Sequence, residues 1–145
     1  MRSFFGFSRL VLAFVAASLF AGSASSQSEA TATPWQDVIS HQIQAFRDGD
    51  APEAFFDAGR MFHAAFPSPE AFFVAIITSG YSPIMESTSH SFGEFRMTDD
   101  EGVVQQVRLV GKTQEIYDAV YQLMEEDGAW RVQGVMLQKS AAIGI

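Results

Sequence analysis

The sequence predicts an α+β fold in which three N-terminal helices pack on a curved, four-stranded antiparallel meander sheet. Up to about residue 80, apolar residues recur at helical spacing, and from about residue 88 they alternate with a period near two. The dipeptide Asp127-Gly128 separates two alternating runs and predicts a hairpin with a type I′ turn. Helices followed by strands, segregated along the chain, indicate the α+β class.

The first helix is predicted to begin at Pro34. Thr33 can cap it, proline is favoured at the first helical position, and Gln36 completes a capping box. Gly49 can adopt the left-handed conformation that ends a helix. Between these signals lies an apolar face made of Trp35, Val38, Ile39, Ile43 and Phe46.

Similar start signals predict the helices that follow. Asp50, followed by alanine and proline, predicts a short helix to about Asp57, and residues 60–66 read as another short helical piece. Ser68 caps the third main helix, which Gly80 is expected to end. A turn at residues 81–83 then leads out of the helical half.

Strands are predicted at residues 89–98, 103–111, 114–125 and 129–139. The two-residue loop Asp127-Gly128 pairs Glu126 with Ala129, Leu123 with Val132 and Tyr121 with Gly134. A second two-residue loop at Lys112-Thr113 would place Arg108 opposite Tyr117. The face expected to lie under the helices then comprises Gly93, Phe95, Met97, Val104, Gln106, Arg108, Tyr117, Ala119, Tyr121, Leu123, Val132, Gly134 and Met136.

The opposite face of this sheet is expected to be too apolar for full exposure to solvent. An exposed apolar patch usually marks an association surface, so we expect a homodimer or a partner protein to cover it. The residues assigned to this interface are Phe92, Val107, Leu109, Ile116, Val120, Val135 and Leu137.

The N-terminus has the pattern of a secretory signal peptide. Arg2 and Arg9 precede an apolar run at residues 10–21, and small residues follow it, so cleavage is expected after Ala24 or Ser26. The run is shorter than the roughly 20 residues of a membrane-spanning helix. We therefore expect a secreted, periplasmic protein without a stable anchor after cleavage. Its parts are a signal peptide (1–26), a flexible leader (27–33), one α+β domain (34–140) and a short tail (141–145).

Charge and composition exclude several classes of function. Cleavage removes Arg2 and Arg9, leaves seven basic and 17 acidic side chains, and takes the net charge from −8 to −10. Such a surface repels nucleic acid. The chain contains no cysteine, and His41, His63 and His90 lack the spacing of metal ligands. No metal site and no cofactor are therefore expected.

The predicted register points to a ligand site on the covered face. Arg108, Tyr117 and Tyr121 are expected to line it, with His63 and Tyr81 at its rim. Arg108 would anchor an anionic or carbonyl-bearing ligand, or its stem would pack inside while its head reaches a carboxylate or solvent. The only carboxylates placed on this face are Glu115 and Glu125 at the strand ends, so the acid–base pair of an enzyme is missing and no catalytic residue is assigned.

Three stretches carry a resemblance to known families: residues 35–46, residues 68–83 and residues 127–137, the last containing Trp-Arg-Val-Gln-Gly-Val. Helices followed by a bent antiparallel sheet with such a final strand resemble the NTF2-like (SnoaL-like, cystatin-related) α+β cone. More narrowly, the stretches resemble the bacterial domain-of-unknown-function family 4864. The resemblance covers residues 35–139 and implies a fold that is often dimeric, but no single activity.

The expected function is therefore a non-catalytic module that binds a small apolar or anionic ligand, or a protein. Two alternatives remain open. One is an isomerase- or dehydratase-like enzyme that works inside the cone, and the other is a structural accessory protein that associates through the outer face of the sheet.

Overall fold

Helices occupy the first half of the described chain and strands the second. The computed structural model describes residues 32–140, so the predicted signal peptide, the leader up to residue 31 and the tail at 141–145 lie outside it. The helices are α1 (Pro34–Arg47), α2 (Ala51–Phe56), α3 (Arg60–Ala65), α4 (Pro69–Ile76) and α5 (Ser82–Glu86), with a π-helical turn at Ile77–Tyr81. The strands are β1 (Ser87–Met97), β2 (Val103–Gly111), β3 (Ile116–Glu126) and β4 (Ala129–Lys139). The α+β prediction is confirmed.

Two of the predicted helix caps form as expected. The Asp50 side chain accepts a hydrogen bond from the Glu53 backbone N–H, and the Ser68 hydroxyl accepts one from the Ala71 N–H. Thr33 behaves differently, because its hydroxyl donates to the Gln36 side chain and makes no bond to the helix backbone. Among the described residues, no helix is long and apolar enough to span a bilayer.

The chain does not leave the helical half at Gly80 as predicted. The α-helix α4 ends at Ile76, and the backbone widens into the π-helical turn, where Gly80 adopts a φ of 99°. Pro83 then lies in the first turn of another helix, α5, where the sequence had predicted a turn. The glycine permits a sharp change of direction that a residue with a Cβ would disfavour.

The four strands form an antiparallel sheet in the order β1-β2-β3-β4, which confirms the meander. Asp127 and Gly128 have φ values of 53° and 81°, as a type I′ turn requires. The predicted pairs Glu126–Ala129 and Leu123–Val132 are both present.

Beyond Leu123 the predicted register of β4 is wrong by one residue. A β-bulge at Gln133 shifts the pairing, so that Tyr121 lies opposite Val135 instead of Gly134. The chain between α2 and α3 holds this bulge in place. The Val132 N–H donates to the Asp57 carbonyl, and the Gly59 N–H donates to the Val132 carbonyl, each at 2.8 Å. The bulge leaves Met136 exposed on the outer face, where the sequence had predicted a covered residue.

The loop between β2 and β3 is one residue longer than predicted. Gly111 N–H bonds to the Glu115 carbonyl around a three-residue loop, in which Gln114 has a φ of 68°. This loop shifts β2 by one residue against β3, so Arg108 pairs with Asp118 instead of Tyr117. A one-residue shift exchanges the two faces of a strand. Val104, Gln106 and Arg108 therefore lie outside, and the prediction that they are covered is wrong.

The same shift removes two members of the predicted dimer surface. Val107 and Leu109 are buried in the core. Phe92, Val135 and Leu137 are half-buried and pack against that core, while Ile116 is half-buried and Val120 is exposed. The outer face around Val120 is of mixed polarity and includes the polar residues Gln106, Arg108, Asp118 and Gln138.

The core lies between α1, α4 and the covered face of the sheet. Ile39 and Ile43 of α1 are fully buried, as are Leu109 and Leu123 of the sheet. Ala119, Tyr121 and Val132 complete this face as predicted. The core places the C-terminal half of α1 and the helix α4 above β4, where a cavity remains.

Candidate ligand pocket

A cavity of about 270 Å³ lies between the helices and β4. Its wall is mostly apolar, and no Lys, Arg, Asp, Glu or His belongs to it among the described residues. The lining residues are Gln42, Phe46, Phe62, Phe72, Ile76, Ser79, Tyr81, Ile84, Val132, Gly134 and Val135. Its volume is just below the roughly 300–1,000 Å³ of typical small-molecule sites.

Phe72 supports the aromatic wall of this cavity. It is buried in α4, and its ring centroid lies 6.1 Å from that of Phe46 and 5.6 Å from that of Phe62. Phe55 and Phe66 also contact it, at 5.1 Å and 5.7 Å. Tilted and edge-on rings at these distances attract one another and limit each other's motion. The cavity is therefore bounded by side chains that other rings hold in place.

The π-helical turn forms the rim. Tyr81, at its end, reaches across to β4, where its hydroxyl donates to the Val135 carbonyl at 2.8 Å. Ser79 and Gly80 are exposed to solvent beside it. π-Helical turns occur frequently at functional sites because they displace side chains from the regular helix surface. Here the turn brings Tyr81 and Ser79 to the mouth of the cavity.

Gln42 is the most deeply buried polar residue of the wall, with 3% of its surface exposed. Its Nε2 donates to the Ala54 carbonyl at 3.0 Å, and this bond joins α1 to α2. No described residue is found to donate to its Oε1. Since every fully buried side-chain polar atom in the described chain has a partner, the small exposed part of Gln42 includes this oxygen.

Of the five residues predicted to bind a ligand, Tyr81 lines the cavity. Tyr121 is 1% exposed in the core, and its burial raises the pKa of its hydroxyl. Tyr117 lines a separate cleft with Pro83 and Glu86. The ring of His63 packs at a tilt against Phe55, with 3.9 Å between the ring centroids, and His63 lines an open surface cleft.

Arg108 lies on the outer face of the sheet. Its Nε is 2.9 Å from Asp118 Oδ1, and both side chains are at least a third exposed. The hydrogen bond from Arg108 lowers the pKa of Asp118. Arg108 therefore pairs with a carboxylate on the sheet surface, and the predicted contact with Tyr117 under the helices is wrong.

A polar cluster outside the cavity surrounds His41 of α1. Its Nδ1 bonds to the carboxylate of Asp57, and its Nε2 lies 3.1 Å from Glu53. The bond to Asp57 raises the pKa of His41. Burial of Asp57 raises the pKa of that carboxyl even though His41 opposes the shift. Among the described residues, no group of three acidic or histidine side chains has a geometry suited to a metal ion.

The sequence contained a signal for Gln42 that its apolar periodicity alone did not reveal. Gln42 lies three residues after Ile39 and four before Phe46, so it shares their face of α1. A polar side chain within an apolar helix face is unusual and marks a position to inspect. Ser79 had no comparable signal, because the π-helical turn that presents it was not predicted.

Comparison with known proteins identifies the family of the chain. No curated protein and no solved structure matched the chain significantly. A family model, described as Domain of unknown function (DUF4864), matches residues 28–144. This match includes every helix, every strand and every wall residue of the described cavity, and the chain therefore belongs to the DUF4864 family.

Proposed function

We propose that the protein is a secreted, periplasmic binding module of the NTF2-like type that holds a small apolar ligand between its helices and its sheet. The observation that carries this proposal is the uncharged, aromatic-lined cavity of about 270 Å³. A concave apolar site with a few polar groups is the usual form of a small-molecule site.

The surroundings of the cavity favour binding over catalysis. General acid–base chemistry most often uses a histidine or a carboxylate within hydrogen-bond reach of the reacting atoms, and the described wall contains neither. The pair formed by His41 and Asp57 is not part of the cavity wall. The polar groups of the wall are an amide, two hydroxyls and the backbone, which suit the orientation of a ligand.

The proposed periplasmic location and the proposed NTF2-like fold are supported by features other than the cavity. The basic N-terminus, apolar run and small residues of positions 1–26 follow the pattern of a signal peptide. The order of helices before an antiparallel meander, with bulges in β1 and β4, is compatible with an NTF2-like cone. Detection of a mature chain beginning after Ala24 or Ser26 in the periplasmic fraction would test the location.

Ligand-observed saturation-transfer NMR with naphthalene, a neutral apolar probe, tests the binding site. We expect saturation transfer to naphthalene in the native protein. Substitution Ser79→Trp should abolish it, because an indole at the mouth would block entry. Thr78→Trp is the matched control, since Thr78 is an exposed neighbour outside the wall that makes the same type of hydroxyl bond to the α4 backbone.

The two tryptophan variants give a clear decision. Both replace an exposed residue, so circular dichroism should show equal helix content and similar unfolding midpoints. Binding that survives in Ser79→Trp as well as in Thr78→Trp would place the probe elsewhere and overturn the proposal. No saturation transfer in the native protein would overturn it as well.

A further inference from the structure

The two hydroxyl groups of the cavity wall already donate their hydrogens to backbone carbonyls of the protein. Ser79 Oγ donates to the Ala75 carbonyl at 2.5 Å, and Tyr81 Oη donates to the Val135 carbonyl at 2.8 Å. Both hydroxyl oxygens retain lone pairs that can accept a hydrogen bond. At the rim, the wall therefore offers acceptors to a ligand.

Gln42 extends this acceptor character into the interior. Its Nε2 is fixed by the Ala54 carbonyl, which turns Oε1 away from that bond. This oxygen belongs to the small accessible part of Gln42, so an occupant that covers it without donating a hydrogen bond would leave it buried and without a partner, which is costly. The oxygen therefore favours an occupant of the cavity that can donate to it. The second N–H of the same amide can donate in return, and a hydroxyl head group would satisfy both.

Charge decides against an anionic head group. The wall contains no Lys, Arg or His among the described residues, and the whole chain carries a net charge of −8. A carboxylate inside such a wall would lose its hydration and meet acceptor oxygens instead of a cation. The free-energy cost of removing a neutral hydroxyl from water into the cavity is far smaller than that of a carboxylate.

From these observations we propose that the cavity selects uncharged, donor-bearing amphiphiles, of which a medium-chain alcohol is the simplest, and rejects the carboxylates of the same length. This inference rests on the proposed ligand-binding function. It makes Gln42 the residue that determines which head group is accepted.

Displacement of naphthalene by three probes of similar length tests the selection. 1-Octanol has the donor, octanoate at neutral pH has the charge, and 1-chloroheptane has neither. We expect 1-octanol to displace naphthalene about tenfold more effectively than 1-chloroheptane, which corresponds to one net hydrogen bond. Octanoate should be the weakest of the three. Equal displacement by 1-octanol and octanoate, or better displacement by octanoate, would overturn the inference.

Substitution Gln42→Leu tests the assigned residue. The variant should lose the preference for 1-octanol over 1-chloroheptane and still bind naphthalene, because leucine keeps the wall apolar. A retained preference in a folded Gln42→Leu variant would contradict the role of Gln42. If that variant does not fold, Gln42→Met replaces it, because methionine has a similar length and no amide, and a retained preference would again count against the inference.

The displacement experiment separates the inference from the function on which it rests. Absence of naphthalene binding in the native protein refutes the ligand pocket itself. Naphthalene binding that all three probes displace equally supports the pocket and refutes the selection.

Discussion

The indole Nε1 of Trp35 donates to the side-chain Oε1 of Gln105 at 2.9 Å, and this bond joins α1 to β2. Gln105 is fully buried, and its Nε2 donates to the Gly93 carbonyl at 3.1 Å where β1 bulges. The same amide therefore holds a helix on one side and an irregular strand on the other. A buried amide in this position stabilises the fold only while both its ends are bonded.

Substitution Gln105→Met should reduce the free energy of unfolding by about 2–4 kcal/mol, because the Trp35 N–H and the bulge carbonyls lose their partner. Urea denaturation followed by circular dichroism measures the change. The matched control is Gln106→Met, since Gln106 is the neighbouring residue on the exposed face. Similar losses in the two variants would contradict the role assigned to Gln105.

His41 should make stability depend on pH above neutrality. Its pKa is raised in the folded state, chiefly by the bond to Asp57, so its contribution is complete below the unfolded pKa of about 6.5. The contribution is lost as pH rises through the higher folded pKa. Between about pH 6 and pH 9 the stability advantage of the native protein over Asp57→Asn should therefore shrink. An advantage that stays constant or grows over this range would refute the linkage.

His90 should act with the opposite sign. Burial and the nearby guanidinium of Arg47 lower its pKa, and Arg47 Nη2 donates to its Nδ1 at 3.2 Å. Both effects favour the neutral ring in the folded protein, and with Nδ1 accepting from Arg47, the Nε2 hydrogen is directed at the Ser40 hydroxyl 2.9 Å away. Its contribution is present above the unfolded pKa of about 6.5 and is lost as pH falls through the lower folded pKa.

NMR titration of the histidine ring protons would separate the two effects. The His90 resonance should titrate below about pH 6.5 and the His41 resonance above it. The variant His90→Gln should lose less stability than the native protein as pH falls below about 6.5. Titration of His90 above that value would show that it is charged in the folded state, contrary to this prediction.

Arg108 should matter little for either stability or binding. Its pair with Asp118 is on the surface, where such pairs contribute at most about 1 kcal/mol. Substitution Arg108→Ala should therefore change the unfolding free energy by less than about 1 kcal/mol and leave naphthalene binding unchanged. A large loss of naphthalene binding would show that Arg108 contributes to the ligand site and would contradict its position on the outer face.

Local sequence signals predicted part of the strand register in the sheet and missed the rest. Asp127-Gly128 determined its turn type and the first pairs of the hairpin, because both residues tolerate positive φ. Gln114 also adopts positive φ, but glutamine is not a residue that favours positive φ, so its conformation could not be predicted from the sequence. Because the loop is one residue longer than predicted, the two faces of β2 are exchanged relative to the prediction, and Arg108 lies on the surface instead of in the expected ligand site.

The pocket could be predicted only in part, because it is formed by contacts between segments that are distant in the sequence. Tyr81 was identified because an aromatic residue after a helix-ending glycine is conspicuous. Gln42 was not identified, although it shares the buried face of α1, because its bond to the Ala54 carbonyl depends on the position of α2. Local periodicity predicted the helices and their order, but the cavity between them depends on a π-helical turn and a β-bulge.

The connection between α2 and α3 also bears on how the molecule behaves at high concentration. β4 is an outermost strand, and such strands can pair with strands of other chains and start aggregation. Ala58 forms a parallel bridge with Val132, so the outward N–H and carbonyl of Val132 are already bonded within the chain. The segment thus covers the N-terminal half of β4 at Val132 and blocks intermolecular β-pairing at that position.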